Sequence, residues 1–298
     1  MGGIAHRAVF VTRETDLELL LARHGTRAQA RFYLETRGQA LDELERRHGR
    51  FAAALHEARA AAPDDWRQVL VKRADFDRFL FAPEDVIVAV GQDGLVANVA
   101  KYLRGQPVIG VNPDPELFDG ILARWPVERL DEALRTVAAG AAAVERRTMV
   151  EARLDGGERL LALNEIFVGH RSHQSARYEI AVGGTREYQS SSGLIAATGT
   201  GATGWARSIM GATGWRVPLA PHDRAFGYFV REPFPSVATG TTVRSGRIEA
   251  AASIEIVSRL NEGGAIFADG IEKDYLAFDW GRRAELRVAE EVLNLVVG

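Results

Sequence analysis

The chain has 298 residues, of which 46% are hydrophobic and 26% charged, carries a formal net charge of −3, and contains no cysteine. That length allows one large domain or two ordinary ones with ample core, and the mild charge gives no global field for nucleic acid or an anionic membrane. The absence of cysteine excludes disulfides, thiolate metal sites and a cysteine nucleophile, and no apolar run approaches the roughly 20 residues of a membrane span.

The chain goes almost directly into a strand-like run, Ala8-Val9-Phe10-Val11, so no signal or transit peptide is expected. Met1-Gly2 suggests acylation, but position 6 is His6 rather than Ser or Thr, so no myristoyl group is expected. A cytoplasmic protein is the expectation. Helical spacing runs from Asp16 to Ala62 with a break near Gly49, followed by a strand at Val69-Leu70-Val71-Lys72 and a short helix around Phe76 to Leu80. Lys72 reads as a solvated strand end rather than a phosphate ligand.

The third strand is the most informative stretch. The β-branched run Val86-Ile87-Val88-Ala89-Val90 stops at Gly91-Gln92-Asp93-Gly94, and a helical pattern starts at once and continues through Lys101. A strand, tight turn and helix N-terminus with a carboxylate at the apex attracts phosphate through the turn's free N–H groups and the helix dipole. Asp93 held there suits a base that takes a proton from an attacking hydroxyl; a plain turn aspartate is the competing reading. A fourth strand, Val108-Ile109-Gly110-Val111, ends in Asn112-Pro113-Asp114. Strands alternating with helices imply a parallel sheet with ligands at the C-terminal strand ends, where both polar loops fall.

After Trp125 the pattern changes. A helical segment, Glu128 to Ala143, leads into alternating runs near Ile166, Tyr178, Ile195, Phe229, Ile254, Ile266 and Val288. Hairpin turns are expected at Asp155-Gly156-Gly157 and Gly183-Gly184, and one helix near Ala202 to Met210. The fold class expected is an α/β N-terminal domain with a parallel, Rossmann-like sheet plus a mainly antiparallel β C-terminal domain. The domains are set at 1–127 and 128–298, from a boundary between Arg124 and Glu145, with the last segment able to return to the first domain. Arg146 and Arg147 head a strand and are expected at the surface. His170 and His173 lack a carboxylate partner at metal spacing, so no metal site is expected there.

Four further segments carry chemistry: Leu163-Asn164-Glu165-Ile166, Ser191-Ser192-Gly193-Leu194 leading to Thr198-Gly199-Thr200-Gly201-Ala202-Thr203-Gly204-Trp205, Val230-Arg231-Glu232-Pro233, and Phe267-Ala268-Asp269-Gly270. With Val71-Lys72-Arg73 and Gly110-Val111-Asn112-Pro113-Asp114-Pro115-Glu116, and in this order, they resemble the NAD kinase family, most of all its divergent mitochondrial type. The resemblance runs from about Val69 to the C-terminus.

It implies a two-domain fold that transfers a phosphoryl group from ATP or polyphosphate to the adenosine-ribose 2′-hydroxyl of NAD. Asp93 is then the catalytic base. Gly91, Gly94, Asn112, Asp114, Asn164, Glu165, Thr198, Thr200, Gly201, Thr203, Gly204, Trp205 and Asp269 are implied to bind nucleotides, with Trp205 replacing the family's tyrosine as a stacking surface. Mg²⁺ is implied to accompany the donor, and a homodimer or higher homo-oligomer is implied as the assembly. Two residues depart from the pattern: Gln92 stands where the family has glycine and Leu95 where it has threonine. The rival readings are a non-catalytic nucleotide sensor and a kinase acting on a lipid or sugar hydroxyl.

Overall fold

A computed structural model describes residues 6–298; the Met1-Gly2 pair considered for acylation lies outside them. Two units emerge, one running to Glu145 and taking back Asn294–Gly298, the other formed by Arg146–Leu293. The division therefore falls after Glu145 and not after residue 127.

In the first unit β1 (Arg7–Thr12), β2 (Arg67–Lys72), β3 (Asp85–Val90) and β4 (Pro107–Val111) form a parallel sheet in the order β2-β1-β3-β4. At the chain's end Asn294 and Leu295 pair with Pro107 and Val108. β3 is buried along its whole length and β1 from Ala8 onward, as expected for strands covered on both faces. Three helices lie between β1 and β2: α1 (Asp16–His24), α2 (Arg27–Glu35) and α3 (Leu41–Ala60). Thr15 caps α1 in a reciprocal box with Glu18. The breaks fall at Gly25 and Gly38, both at positive φ, where a glycine adopts a left-handed turn without a Cβ penalty. Gly49 lies inside α3, so the expected break near it is wrong.

The helix expected around Phe76 is also absent. A single 3-10 turn spans Arg73–Asp75, and Phe76 is instead buried edge-on to Phe81 and Tyr102. α4 (Asp93–Ala100) follows β3 directly and is buried from Leu95 to Ala100. α5 (Leu130–Ala138) places Leu130, Ala133 and Leu134 in the same core as Phe10, Val88 and Ile109. That burial is why the first unit extends past residue 127. The expected helix to Ala143 stops at Ala138 because the next strand has begun by Ala143.

The second unit is built from β5 (Ala143–Leu154), β6 (Arg159–Ala162), β7 (Glu165–His170), β8 (Ala176–Val182), β9 (Thr185–Ser191), β10 (Leu194–Ala197), β11 (Ala225–Val230), β12 (Ser245–Glu249), β13 (Ser253–Ser258), β14 (Gly264–Ala268), β15 (Ile271–Ala277) and β16 (Arg283–Val297). One antiparallel sheet has the order β12-β11-β10-β7-β14-β15. The other joins β9, β8, β13, β16, β5 and β6. Alternation sorts the strands' side chains. Ile166, Val168, Leu194, Ala196, Phe226 and Tyr228 enter one core with Tyr178, Ile180, Ile254 and Leu286 from the second sheet. Phe167, Ile195, Ala197 and Phe229 face the other way, onto α6 (Trp205–Thr213), as period two requires. A 3-10 turn at Gly201–Thr203 precedes α6, so the helix starts and ends later than expected. Among the described residues no helix is long and apolar enough to cross a membrane.

Candidate functional site

In the first unit the site is built on the C-terminal ends of β3 and β4. Gln92 is the N-cap of α4 with φ −78, and Asp93 is its first helical residue. The Asp93 carboxylate does not hang free in the turn. Its Oδ1 accepts the backbone N–H groups of Leu122 and Ala123 at 2.8 and 2.9 Å, and its Oδ2 accepts that of Ile121 at 2.9 Å. Three backbone donors fix both the carboxylate and the returning loop. Gly94 has open space where a Cβ would lie.

Asn112 shapes the same loop from within. Its Oδ1 accepts the Asp114 N–H at 3.1 Å and its Nδ2 donates to the Phe118 carbonyl at 2.8 Å. Both ends of the amide are thereby committed to the turn. The Asp114 carboxylate sits 2.8 Å from Arg50 of α3. Gly120, at φ +66, is where a Cβ would come within 2.4 Å of the Ala123 carbonyl oxygen. Gly91, Gln92, Asp93, Gly94, Asn112, Asp119 and Gly120 together border a cavity of about 350 Å³. Asp114 borders a smaller neighbouring cavity instead.

The second unit gathers the remaining residues at one end of its six-stranded sheet. Asp269, at φ +50 just after β14, accepts the backbone N–H groups of Leu163, Asn164 and Glu165 at 2.9, 2.7 and 3.2 Å. It thus fixes the turn that presents Asn164 and Glu165. Burial, and then the Asp269 carboxylate, push the Glu165 carboxyl up to about 7. The Thr198 hydroxyl donates to the Leu163 carbonyl at 2.5 Å and accepts the Thr200 and Gly201 N–H groups. Gly201 approaches so closely that an added Cβ would lie 2.1 Å from the Asn164 carbonyl oxygen. Thr203 donates its hydroxyl to the Thr200 carbonyl, and Gly204 is the N-cap of α6. Trp205 stacks on Phe167 with ring planes 11° apart and carries Arg231 over its ring at 5.3 Å.

Sequence reasoning missed two arginines. Arg147, expected at the surface, is 2% exposed and donates to the Thr200 hydroxyl at 3.3 Å, because the apolar Met149-Val150 run draws this part of β5 into the interior. Arg13 donates to the Gln92 side-chain oxygen at 3.1 Å, a contact that required β1 to lie beside β3. Lys72 is exposed and lies 3.9 and 3.8 Å from Glu14 and Glu18.

No family model matches the chain. Sequence similarity is found to human mitochondrial NAD kinase 2, 31% identical over 186 residues that cover 47% of this chain and 42% of that protein. The NAD kinase of Heliobacterium modesticaldum is 38% identical over 135 residues, 43% of this chain and 47% of that protein. The chain spans about half the length of the curated relatives it matches. The structure of an NAD kinase from Archaeoglobus fulgidus in complex with ATP superposes with a TM-score of 0.59, covering 98% of this chain and 93% of that one at 20% identity. Over about half its length the chain is similar in sequence to NAD kinases. Yeast NADH kinase complexed with NADH gives a TM-score of 0.60 over 99% and 84% of the two chains at 16% identity, so the two-domain fold is shared.

Set beside the NAD kinase pattern, the two departures in the glycine loop are accommodated locally. Gln92 occupies an ordinary φ of −78, so no glycine is needed there, and its amide oxygen turns to Arg13. Leu95 is 2% exposed within the helix–sheet core.

Proposed function

We propose that this chain phosphorylates the adenosine-ribose 2′-hydroxyl of NAD to give NADP, with ATP or polyphosphate as donor. The observation that carries the reading is the fixed Asp93 carboxylate on the wall of the 350 Å³ cavity at the C-terminal edge of the parallel sheet. Its Oδ1 is committed to two N–H groups and its Oδ2 to one, which leaves Oδ2 a lone pair for an incoming hydroxyl proton. The 2′-oxygen forms a bond to the donor's terminal phosphorus while the bond to the bridging oxygen breaks. The proton passes to Asp93, and the electron pair leaves with the shortened phosphate chain. Such transfers need mainly positioning and charge neutralisation, and a carboxylate clamped by three backbone donors supplies the first.

The second unit supplies the dinucleotide contacts in this reading. Asn164 and Glu165 hold the nicotinamide-side ribose, with Asp269 and Thr198 fixing their turn. Thr200, Gly201, Thr203 and Gly204 line the pocket and Trp205 offers a stacking face. Mg²⁺ fits the chemistry of the larger cavity. Its wall contains Asp93 and Asp119 and no cationic residue, so a phosphate chain entering it needs a cation of its own. When bound, the ion would neutralise donor phosphate charge, with Asp119 the carboxylate to hold it and Asp93 kept for the hydroxyl proton. A homo-oligomer is part of the proposal, since β12 and β15 are outer strands of their sheet.

The sensor reading rested on Gln92 and Leu95, and the relaxed backbone at both supports the active reading instead. Calorimetry with NAD and ATP separately, followed by a turnover assay for NADP, tests the proposal. Tight NAD binding without phosphorylation would replace it with the sensor, and failure to bind any dinucleotide would replace it with a kinase for another hydroxyl.

A further inference from the structure

The glycine-aspartate loop borders two cavities, of which the smaller alone has cationic side chains in its wall. The larger has two carboxylates and no cation in its wall. The smaller, about 80 Å³, shares Gly91, Gln92 and Phe118 with it and is walled by Arg13, Arg47 and His48. Each carboxylate of this smaller wall already has a cation. Glu14 lies 3.9 Å from Lys72, Asp16 3.6 Å from Arg47, and Asp114 2.8 Å from Arg50. His48 is bound through Nδ1 to the Thr15 hydroxyl at 2.8 Å.

Arg13 differs. It is half-buried one residue past the end of β1, and among the described residues its hydrogen bond goes to the neutral amide of Gln92 at 3.1 Å, with no carboxylate in ion-pair range. Withdrawing a cation from water without a counter-charge is unfavourable. The position is also the C-terminal edge of two neighbouring parallel strands, β1 and β3, where anionic ligands of such sheets bind. The space beside it accommodates a phosphoryl group.

We infer that Arg13 binds the terminal phosphoryl group of the phosphate donor, and that Gln92 is the positioning residue that aims it. Naming the anion as the donor's rests on the kinase reading above. One guanidinium N–H is used on Gln92, leaving the rest of the fork for phosphoryl oxygens. Gln92 thereby links the two cavities: a donor chain lying along Gly91 meets carboxylates on one side and Arg13 on the other. Glycine at this position leaves Arg13 without its tether, and glutamate neutralises it.

The test titrates the full chain with inorganic tripolyphosphate and, separately, with NAD, in the wild type and in Arg13→Ala, Arg13→Lys, Gln92→Gly and Gln92→Glu. Loss of a charge-assisted bidentate contact predicts that Arg13→Ala weakens tripolyphosphate binding about 10- to 100-fold. Arg13→Lys recovers part of that, Gln92→Glu loses as much as Arg13→Ala, and Gln92→Gly loses less. NAD affinity stays within about twofold throughout. The inference is overturned if Arg13→Ala and Gln92→Glu keep tripolyphosphate affinity within twofold, or if NAD affinity falls in parallel. Should Arg13→Ala fail to fold, Arg13→Lys and Gln92→Glu decide. Wild-type protein that binds tripolyphosphate through Arg13 yet makes no NADP retires the kinase reading alone. A working kinase whose Arg13→Ala variant keeps its donor KM retires this inference alone.

Discussion

Replacing Glu165 by glutamine removes one half-buried titratable carboxyl and, with it, a measurable pH dependence. The Glu165 carboxyl, held at about 7 against an ordinary 4.5 by burial and by Asp269, keeps its proton in the folded chain until neutral pH. The unfolded chain releases it near 4.5. The folded state therefore binds more protons between those values, and stability falls as pH rises through them, then levels above 7. At about 1.4 kcal/mol per tenfold change in proton affinity, the full penalty above pH 7 is about 3 kcal/mol, which residual water contact trims to about 2–3 kcal/mol. Glu165→Gln keeps the shape and removes the titration. Its stability relative to wild type should thus rise by about 2 kcal/mol between pH 5 and pH 8. Urea unfolding of both proteins at the two pH values, followed by circular dichroism, measures this difference. A gap between the two proteins that stays constant within about 0.5 kcal/mol would refute the reasoning, since it would place the carboxyl at its ordinary value. The same ionisation bears on the site: if the carboxylate accepts ribose hydroxyls, NAD affinity rises as pH climbs through about 7 in the wild type and is flat in the variant.

Asp93→Asn should lower turnover about 10²- to 10⁴-fold if Asp93 is the base. It should also cost about 1–3 kcal/mol, because an amide NH₂ would face backbone N–H groups of the 121–123 loop. Steady-state kinetics and thermal unfolding separate the two effects, and a near-normal rate would remove the assignment. Gly120→Ala should strain that loop, at φ +66 and with the added Cβ 2.4 Å from the Ala123 carbonyl oxygen. The loss is about 1–3 kcal/mol, with a fall in turnover that tracks the displaced Asp93; unchanged stability would show that the loop yields freely. Gln92→Gly with Leu95→Thr should change donor affinity or donor choice and leave NAD affinity nearly alone. Calorimetry showing the reverse would put the wrong ligand at this loop.

How much of this was legible depends on how far apart the interacting groups lie in the chain. Local signals carried the parallel strands, because a run such as Val86–Val90 is apolar on both faces and stops at a glycine. They also carried the Gly183-Gly184 turn between β8 and β9. The helix breaks were misplaced at Gly49 because composition does not distinguish a glycine in helical backbone from Gly25 or Gly38 at positive φ.

What the sequence determined by itself is therefore the class of each half and which polar residues stand at turns and strand ends, since alternation, glycine turns and buried runs are properties of neighbours in the chain. Tertiary structure alone decided what those residues touch. Asp93 finds its three donors about thirty positions away in the 121–123 loop, Asp269 finds Leu163, Asn164 and Glu165 more than a hundred positions back, and Arg13 reaches Gln92 only because β1 and β3 are neighbours. Nothing periodic in the chain encodes such contacts; they arise when sheet order brings strand ends together and burial commits each polar group to the partner it meets there.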